Sequence, residues 1–199
     1  MTRSLPALDP QERPESLAAA VRAVRNGRLV ELPAETGYVL AADAFHAGGV
    51  AQLRSAKGLG PQTSLGVLVG SVQGVHGIAT GLSPAALDLM AATWPGQLSL
   101  VVRTQPSLHW TVPTDRCVVR MPLHPVLLHV VEQVGPMVYS GLGAADGAAA
   151  FLRLEAGERP VGEGATVVDA TGLRPRMVRE GAVPLARLLE IAPGIGEGP

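Results

Sequence analysis

The chain has 199 residues, of which 47% are hydrophobic and 17% are charged, so it is long enough to bury one sizeable core. Its formal net charge of −1 excludes an overall basic field that would draw it to nucleic acid, although a local basic face is compatible with that charge. The lone cysteine, Cys117, excludes a disulfide framework, and its apolar neighbours indicate an inert thiol. No targeting segment is visible and no apolar run approaches the ~18 residues of a membrane helix, so we expect a cytoplasmic protein without a membrane span.

Helices and strands alternate through the first part of the chain. Residues 1–13 are interrupted by prolines and are predicted to form a mobile lead-in. The predicted elements that follow are, in order, a helix at residues 15–26, a strand at 29–32, a weaker helix at 47–56, a buried strand at 65–69 and a short helix at 72–78.

The second part of the chain contains the clearest start of a helix, Ser83-Pro84, where an N-cap residue precedes a proline. The predicted elements are a helix at residues 84–94, strands at 98–102 and 117–121, a helix at 125–134, strands at 137–139, 166–168 and 177–178, and a helix at 184–191. Residues 192–199 are predicted to be a flexible tail. The alternation is not strict, so we expect an α/β fold in which helices flank a twisted mixed sheet, within a single domain at residues 14–191.

The segment after the first strand, residues 33–40, places a carboxylate, a hydroxyl and a phenol in one short stretch: Glu35, Thr36 and Tyr38. Ligands of open α/β sheets bind beyond the carboxyl ends of strands, so this segment is a candidate site. An ordinary turn is the alternative interpretation.

Two cations stand in positions that suit an anionic ligand. Lys57 follows a helix and precedes a glycine-rich loop, although a solvated lysine near a helix C-terminus has the same pattern. Arg120 lies between apolar residues in a strand, so its guanidinium must be paired or face a polar cavity. The alternative to ligand binding is a structural salt bridge, for which the sequence offers the partners Asp43, Asp115 and Asp169.

Several common catalytic patterns are absent from the sequence. The run Gly141-x-Gly143-x-x-x-Gly147 departs from the dinucleotide-binding spacing and comes late in the chain, which favours a flexible turn. There is no phosphate-binding loop of the Gly-x-x-x-x-Gly-Lys-Ser/Thr type and no Gly-x-Ser-x-Gly elbow. The histidines share no metal-ligand spacing, so a metal-centred hydrolase is not expected.

An ordered set of short blocks resembles the YrdC-like family over residues 14–189. The blocks are Pro33-Ala34-Glu35-Thr36-Gly37-Tyr38-Val39-Leu40, Lys57-Gly58-Leu59, Trp94-Pro95-Gly96-Gln97-Leu98-Ser99, Val119-Arg120-Met121-Pro122, Thr166-Val167-Val168-Asp169 and Arg179-Glu180-Gly181. The resemblance implies an open sheet around a large concave cavity. It also implies synthesis of L-threonylcarbamoyladenylate from ATP with Mg²⁺, L-threonine and bicarbonate, on the way to threonylcarbamoyladenosine in tRNA. tRNA or tRNA-modification proteins are the partners that this activity implies.

The resemblance assigns roles to seven residues. Lys57 and Arg120 would be catalytic and face the phosphates, whereas Thr36 and Tyr38 would line the threonine end. Ser140, Thr166 and Arg179 would approach the nucleotide.

The chain also departs from the family at the implied site. An arginine of the family is Leu59 here, and an asparagine of the family is Leu142. Losing one preorganised donor to developing charge typically costs ~10²–10³ in rate, so two losses leave little activity unless another group such as Arg54 or Arg103 replaces them. The alternative to an enzyme is therefore a catalytically impaired paralogue that binds a nucleotide, RNA or protein in the same cavity.

Overall fold

A computed structural model describes residues 2–60, 62–106, 115–141, 149–157 and 162–197. Within these ranges the strands form one 12-stranded mixed sheet with the order β1-β9-β2-β3-β8-β4-β7-β6-β10-β11-β12, and β5 pairs separately with β6. The expected fold of a mixed sheet flanked by helices is confirmed.

The strands of the sheet are short, and most have buried positions. They are β1 Arg3–Pro6, β2 Val30–Pro33, β3 Tyr38–Asp43, β4 Gly66–Leu68, β5 Ala79–Thr80, β6 Leu98–Thr104, β7 Arg116–Arg120, β8 Met137–Gly141, β9 Leu152–Glu155, β10 Thr166–Asp169, β11 Arg176–Arg179 and β12 Gly196–Glu197.

The helices begin where the sequence has capping residues or prolines. They are α1 Arg13–Arg25, α2 Ala47–Ala56, α3 Pro84–Thr93, α4 Pro125–Val134 and α5 Leu185–Ile191, with a 3₁₀ helix at Gln73–Gly77. Ser83 caps α3 by accepting a hydrogen bond from the amide of Ala86, which confirms the predicted start. None of the described helices is long and apolar enough to cross a membrane.

The sheet separates two hydrophobic cores because successive side chains of a strand point to opposite faces. On one face, α2, α3 and α5 pack against strand residues such as Leu40, Leu100 and Val119. On the other face, α1 and α4 pack against residues such as Val39 and Leu68.

The face that carries α1 and α4 is only partly covered by described residues. Val101, Val118 and Val167 lie between core residues of β6, β7 and β10, point to this face, and are half-buried rather than buried. This half-open part of the sheet, at β7, β6 and β10, adjoins the side chains considered below as a site.

The two ends of the chain differ from the sequence-based expectation. Arg3–Pro6, within the predicted lead-in, pairs in parallel with β9, and Ala7 is buried. Gly196–Glu197, within the predicted tail, pairs in parallel with β11, and Ile195 enters the core at 7% exposure. Both segments are too short for a periodic pattern, and both gain their hydrogen bonds from the edges of a sheet formed elsewhere.

Two strands inside the chain were not predicted as separate elements. Tyr38–Asp43 forms β3, which pairs antiparallel with β2 and makes residues 34–37 a hairpin turn rather than an open loop. Leu152–Glu155 forms β9, between β1 and β2 in the sheet. The predicted helix at residues 72–78 is a 3₁₀ helix, as its glycines allow.

Candidate active site

The β2–β3 hairpin turn places Glu35 and Thr36 where these two strands of the sheet are joined. The amide of Ala34 donates to the carbonyl of Gly37 across the turn, and Gly37 has φ 89°, a conformation that favours glycine. Thr36 is exposed, and its methyl group lies near Gly162, because a Cβ added at Gly162 would stand 3.3 Å from it. The expected loop is therefore a tight turn in which Thr36 is accessible.

Arg120 is held by an ion pair with Glu35. The side chains are 12% and 11% exposed, respectively, and the Nη2 group of Arg120 donates to Oε2 of Glu35. Oε1 of Glu35 accepts the amides of Leu123 and His124, and Nε of Arg120 donates to the carbonyl of Gly96 at 3.1 Å. Burial alone would raise the pKa of Glu35, but the charge and hydrogen bonds of Arg120 and the backbone amides bring it below its ordinary value.

The partner of Arg120 corrects the sequence-based list of salt-bridge candidates. Asp115 lies 4.0 Å from Arg103 and 3.8 Å from Arg116, and Asp169 lies 3.8 Å from Arg116 and 4.0 Å from Arg176. Asp43 accepts the amide of Phe45 in the turn before α2. Glu35 is 85 positions from Arg120 in the sequence, which is why local pattern did not identify it.

Tyr139 is on the half-open face of the sheet, and the charges of Arg120 and Arg179 both act on its hydroxyl. Its ring packs on Gly66 of the neighbouring strand, where an added Cβ would stand 2.5 Å from Cε1. Burial raises the pKa of the Tyr139 hydroxyl, while the charges of Arg120 and Arg179 and a hydrogen bond with Ser99 act to lower it. The phenol is therefore protonated and lies within the field of both arginines.

Arg179 adjoins a cavity of about 580 Å³ whose lining includes Glu163, Gly164 and Glu180. Its Nη2 group donates to the carbonyl of Ala165 at 2.7 Å, which fixes the guanidinium beside β10. Val167 pairs with both Arg179 and Ser99, so Arg179 is on the same face of the sheet as Ser99 and its hydrogen-bond partner Tyr139, on which the charge of Arg120 also acts.

Lys57 and Ser140 meet at the carboxyl end of β8. Lys57 is the C-cap of α2, and its Nζ donates to the carbonyl of Gly141 at 2.8 Å. Ser140 pairs with Leu40, so its side chain points to the face that carries α2, opposite Tyr139. Because Gly141 pairs with Val39, this end of β8 lies next to the hairpin that carries Thr36.

Two predicted ligand contacts have structural partners instead. The Tyr38 hydroxyl donates to the carbonyl of Gly157 and accepts the amide of Ala156. Thr166 is fully buried, and its hydroxyl donates to the carbonyl of Val183 and accepts the amides of Gly181 and Val183. These bonds argue against direct ligand contact and indicate that the two residues position neighbouring loops.

The family pattern has polar residues where this chain has Leu59 and Leu142, and the structure describes the first of these positions. Leu59 is partly buried and packs against the core that contains α2, so it is a packing residue here. Arg54 donates to the carbonyls of Gly60 and Thr63, and Arg103 donates to the carbonyl of Thr171. These contacts are all to backbone carbonyls, so they do not make either arginine a replacement for the missing family arginine. Leu142 and the turn at residues 142–148 lie outside the described residues.

Three residues at the site were not predicted as site residues: Glu35, Ser99 and Tyr139. Glu35 was recognised only as a carboxylate in the loop, and Tyr139 only as part of a strand. Gly66 inside a strand was a usable signal for Tyr139, because an interior glycine often marks close approach of another group.

Comparisons with known proteins agree on a family. The Sua5/YciO/YrdC family model, described as telomere recombination, matches residues 22–150. A Mycobacterium tuberculosis protein named "Putative threonylcarbamoyl-AMP synthase" is 38% identical, with 96% of this chain and 95% of that protein covered. A Mycobacterium leprae protein of the same name is 40% identical, with 92% and 90% covered.

Solved structures give the same result for the fold. A double variant of Pyrococcus abyssi Sua5 superposes with a TM-score of 0.86 at 27% identity, covering 100% of this chain and 66% of that one. P. abyssi Sua5 complexed with L-threonine gives 0.82 at 25% identity, covering 100% of this chain and 63% of that one. This chain thus spans about two thirds of the length of P. abyssi Sua5.

Proposed function

Because the chain belongs to the Sua5/YciO/YrdC family, we propose that it is a threonylcarbamoyl-AMP synthase that converts ATP, L-threonine and bicarbonate into threonylcarbamoyl-AMP and pyrophosphate. The observation that carries the proposal is that Arg179 shares a face of the sheet with Tyr139, on which the charges of Arg120 and Arg179 both act, while Lys57 binds the carboxyl end of the same strand. Two arginines on one face of the sheet and a lysine at a strand end supply cations for a substrate that carries a triphosphate and a carboxylate.

The reaction needs cations that are already in place when charge develops on the phosphate. The threonine amine and bicarbonate form a carbamate with loss of water, and a carbamate oxygen attacks the α-phosphorus of ATP while pyrophosphate leaves. Charge spreads over the phosphate oxygens, and fixed donors stabilise it without reorganising. Arg120 meets this requirement because Gly96 and Glu35 fix two of its donors, and a guanidinium has five.

The remaining predicted residues are assigned to different parts of the substrates. Thr36, exposed in the hairpin turn, is assigned to the threonine end, in keeping with the L-threonine complex of P. abyssi Sua5. Lys57 and Ser140 are assigned to the phosphates at the end of β8, and Arg179 to the nucleotide. Tyr38 and Thr166 are assigned to positioning, by the hydrogen bonds described above.

Mg²⁺ fits this donor set as an ion bound mainly by the substrate. It is usually held by one or two carboxylates together with phosphates and water. The described residues contain no cluster of three or more His, Cys, Asp or Glu side chains that could hold a metal alone. Glu163 and Glu180, in the lining of the cavity at Arg179, are the carboxylates nearest to it, and Glu180 also accepts the amide of Leu185, whereas Glu35 is bound to Arg120. The ion would neutralise charge on the departing pyrophosphate.

The decisive experiment measures product formation directly. Purified protein is incubated with ATP, L-threonine, bicarbonate and Mg²⁺, and threonylcarbamoyl-AMP and pyrophosphate are quantified by mass spectrometry and a coupled assay. We expect both products, dependence on all three substrates, and a loss of at least 10²-fold with Arg120→Gln, the size typical of removing one preorganised donor. Absence of the adenylate and of pyrophosphate would reject the synthase.

A second candidate function is nucleotide binding without turnover, which the packing of Leu59 against the core favours. Leu59→Arg, alone and with Leu142→Asn, distinguishes the two functions. If the leucines disabled an ancestral site, the double variant gains nucleotide affinity or turnover, and thermal shift with ATP, AMP and threonine detects the gain. If neither quantity rises, the leucines did not disable the site.

The product places this activity before the formation of threonylcarbamoyladenosine in tRNA. We therefore assign tRNA or tRNA-modification proteins as downstream partners and the cytoplasm as the compartment. Transfer of labelled threonylcarbamoyl groups to tRNA, in a reaction completed with a transfer enzyme, tests this placement.

A further inference from the structure

The arginines of the described chain divide into groups by their partners. Several are paired with carboxylates: Arg103, Arg116, Arg120, Arg153, Arg176 and Arg187. Five others lie on or beside α1 and form no ion pair with a described carboxylate: Arg3, Arg13, Arg22, Arg25 and Arg28. In a protein of net charge −1, these five are a local positive surplus.

Three of these arginines line one groove although they come from different elements. Arg3 belongs to β1, Arg22 to α1, and Arg28 to the connection before β2. The groove has a volume of about 430 Å³, and its lining also contains Asn26 and Phe151 but no acidic residue among those described. Pairing of β1 with β9 brings Arg3 beside Leu152, so tertiary structure rather than helix sequence assembles these cations.

An exposed aromatic ring accompanies the cations. Phe151 is 48% exposed, and the guanidinium of Arg28 lies 4.7 Å from its ring centroid. The backbone of Phe151 is fixed on both sides, because its amide donates to Leu29 and its carbonyl accepts the amide of Arg3. The ring is therefore held at the groove with part of its surface open to a flat ligand.

The positive surface continues along α1 into a second groove. This groove lies between α1 and α4, has a volume of about 510 Å³, and is lined by Arg13, Arg22, Arg25 and His129. Arg13 and Arg25 are separated by about 18 Å along the helix axis, from a rise of ~1.5 Å per residue. A single phosphate or mononucleotide cannot contact cations over that length.

Interactions within α1 do not account for the whole set. Arg22 and Arg25 lie in the last turn, where the helix dipole favours cations, and Arg25 also donates to the carbonyl of Gln133. Arg3 and Arg28 lie outside the helix. Arg13 donates to the carbonyls of Ala7 and Leu8. The acidic residues nearest in sequence, Asp9, Glu12 and Glu15, flank Arg13 and are at the opposite end of α1 from Arg22 and Arg28.

We propose that the arginine surface, defined as Arg3, Arg13, Arg22, Arg25, Arg28 and Phe151, binds a single-stranded nucleic acid. Guanidinium groups contact phosphates along the strand, and Phe151 stacks on a base, the combination used by proteins that bind single strands. The surface shares no lining residue with the Arg120–Arg179 site, so the inference goes beyond the proposed synthase activity.

The test uses the full chain and fluorescence anisotropy with a labelled 12-nucleotide single-stranded RNA at 50, 100 and 200 mM KCl. Arg13 and Arg25 already donate to backbone carbonyls. Phosphate contacts of the other three arginines predict a slope of about −2 in a plot of log binding constant against log salt, at ~0.7 per phosphate. Arg22→Gln/Arg28→Gln is expected to weaken binding at least 10-fold and to make the slope less negative by about 1.4. Phe151→Leu is expected to weaken binding several-fold at unchanged slope.

Matched controls separate this surface from general charge and from the synthase site. Arg174→Gln/Arg187→Gln removes the same charge from exposed positions elsewhere and is expected to leave binding unchanged. Melting temperature confirms that each variant is folded. Threonylcarbamoyl-AMP formation is measured in parallel and is expected to stay within twofold of wild type for Arg22→Gln/Arg28→Gln, so either proposal can fail alone.

Several outcomes would overturn the proposal. Two of these are an absence of RNA binding at 50 mM KCl and an equal loss of binding in both double variants. A third is competition by ATP or inorganic phosphate at concentrations that match the RNA phosphates, because such competition would indicate a mononucleotide site. Equally tight binding of polyglutamate at the same salt would identify an acidic polypeptide as the occupant. A single-stranded DNA arm shows whether the 2′-hydroxyl contributes.

Discussion

Glu35 connects two distant parts of the proposed site through one carboxylate. It receives Arg120 from the end of β7 and two backbone amides from the β7–α4 connection, while its own backbone belongs to the hairpin that carries Thr36. The carboxylate therefore links the hairpin to Arg120 and to the β7–α4 connection. Glu35 is a positioning residue by this geometry, because Arg120 is the group assigned to the phosphate.

Glu35→Gln keeps the shape of the side chain but removes its charge. A hydrogen bond to a charged group contributes about 1.5–3 kcal/mol, so we expect a loss of unfolding free energy in that range, measured by urea denaturation. The matched control is Glu190→Gln, whose carboxylate pairs with Arg187 at 65% exposure and should contribute below about 1 kcal/mol. We also expect a 10–100-fold lower kcat for adenylate formation. Equal losses in the two variants would contradict the role of burial.

The lowered pKa of Glu35 gives the stability a defined pH dependence. The ionised carboxylate is favoured in the folded protein, so its contribution is complete above the unfolded-state pKa of about 4.3 and is lost as pH falls through the folded-state value. The free-energy difference between wild type and Glu35→Gln should therefore shrink as pH decreases from 7 to below 4. Unfolding at a series of pH values measures it, and a constant difference would show that the charge is not involved.

At the scale of elements, the β10–β11 pair holds Arg179 through the turn that follows it. Gly181 lies so close to β10 that an added Cβ would stand 2.2 Å from the carbonyl oxygen of Gly164. The amide of Gly181 donates to Oγ1 of Thr166. The backbone after Arg179 is therefore clamped to β10, and this clamp sets where the guanidinium lies.

Gly181→Ala should separate this turn from β10. The contact is with backbone, which cannot rotate away, so we expect destabilisation of about 1–3 kcal/mol together with a raised KM for ATP as Arg179 shifts. Thermal unfolding and steady-state kinetics measure the two effects. Gly77→Ala is the control, because no atom lies within 4 Å of its added Cβ. If Gly181→Ala behaves like Gly77→Ala, the turn is not a clamp.

At the scale of the molecule, both described ends of the chain complete the sheet. The strand near the N-terminus adds β1 beside β9, and the segment near the C-terminus adds β12 beside β11. Ile195 anchors the latter segment in the core with α2, α3 and α5. The sheet therefore extends beyond the region expected from the pattern of helices and strands.

Ile195→Ala tests whether this terminal segment stabilises the whole domain. Truncation of a buried isoleucine costs about 2–5 kcal/mol, and the chain end can relax, so we expect about 2 kcal/mol in urea denaturation. Leu173→Ala, at 88% exposure, provides the control and should change stability by no more than about 0.5 kcal/mol. A neutral Ile195→Ala would indicate that the segment is independently mobile, as the sequence alone suggested.

The sequence predicted elements wherever a local signal was strong. The helix after Ser83-Pro84, the helix at Pro125–Val134 and the strand at Arg116–Arg120 each follow from capping residues or from runs of apolar residues. Edge strands such as Arg3–Pro6 were missed because four residues carry little periodicity and are stabilised by a neighbouring strand. Such segments become strands because their backbone pairs with a neighbouring strand, not because their side chains follow a periodic pattern.

By itself the sequence determined the fold class, the family blocks and the presence of Arg120 among apolar neighbours, because each depends on residue type and short spacing. Only the tertiary structure decided that Glu35 partners Arg120, that the charges of Arg120 and Arg179 both act on Tyr139, and that Arg3 joins Arg22 and Arg28. Those contacts depend on strand order and on which face each side chain occupies. A change of one position in strand register would reverse the faces without altering the local pattern.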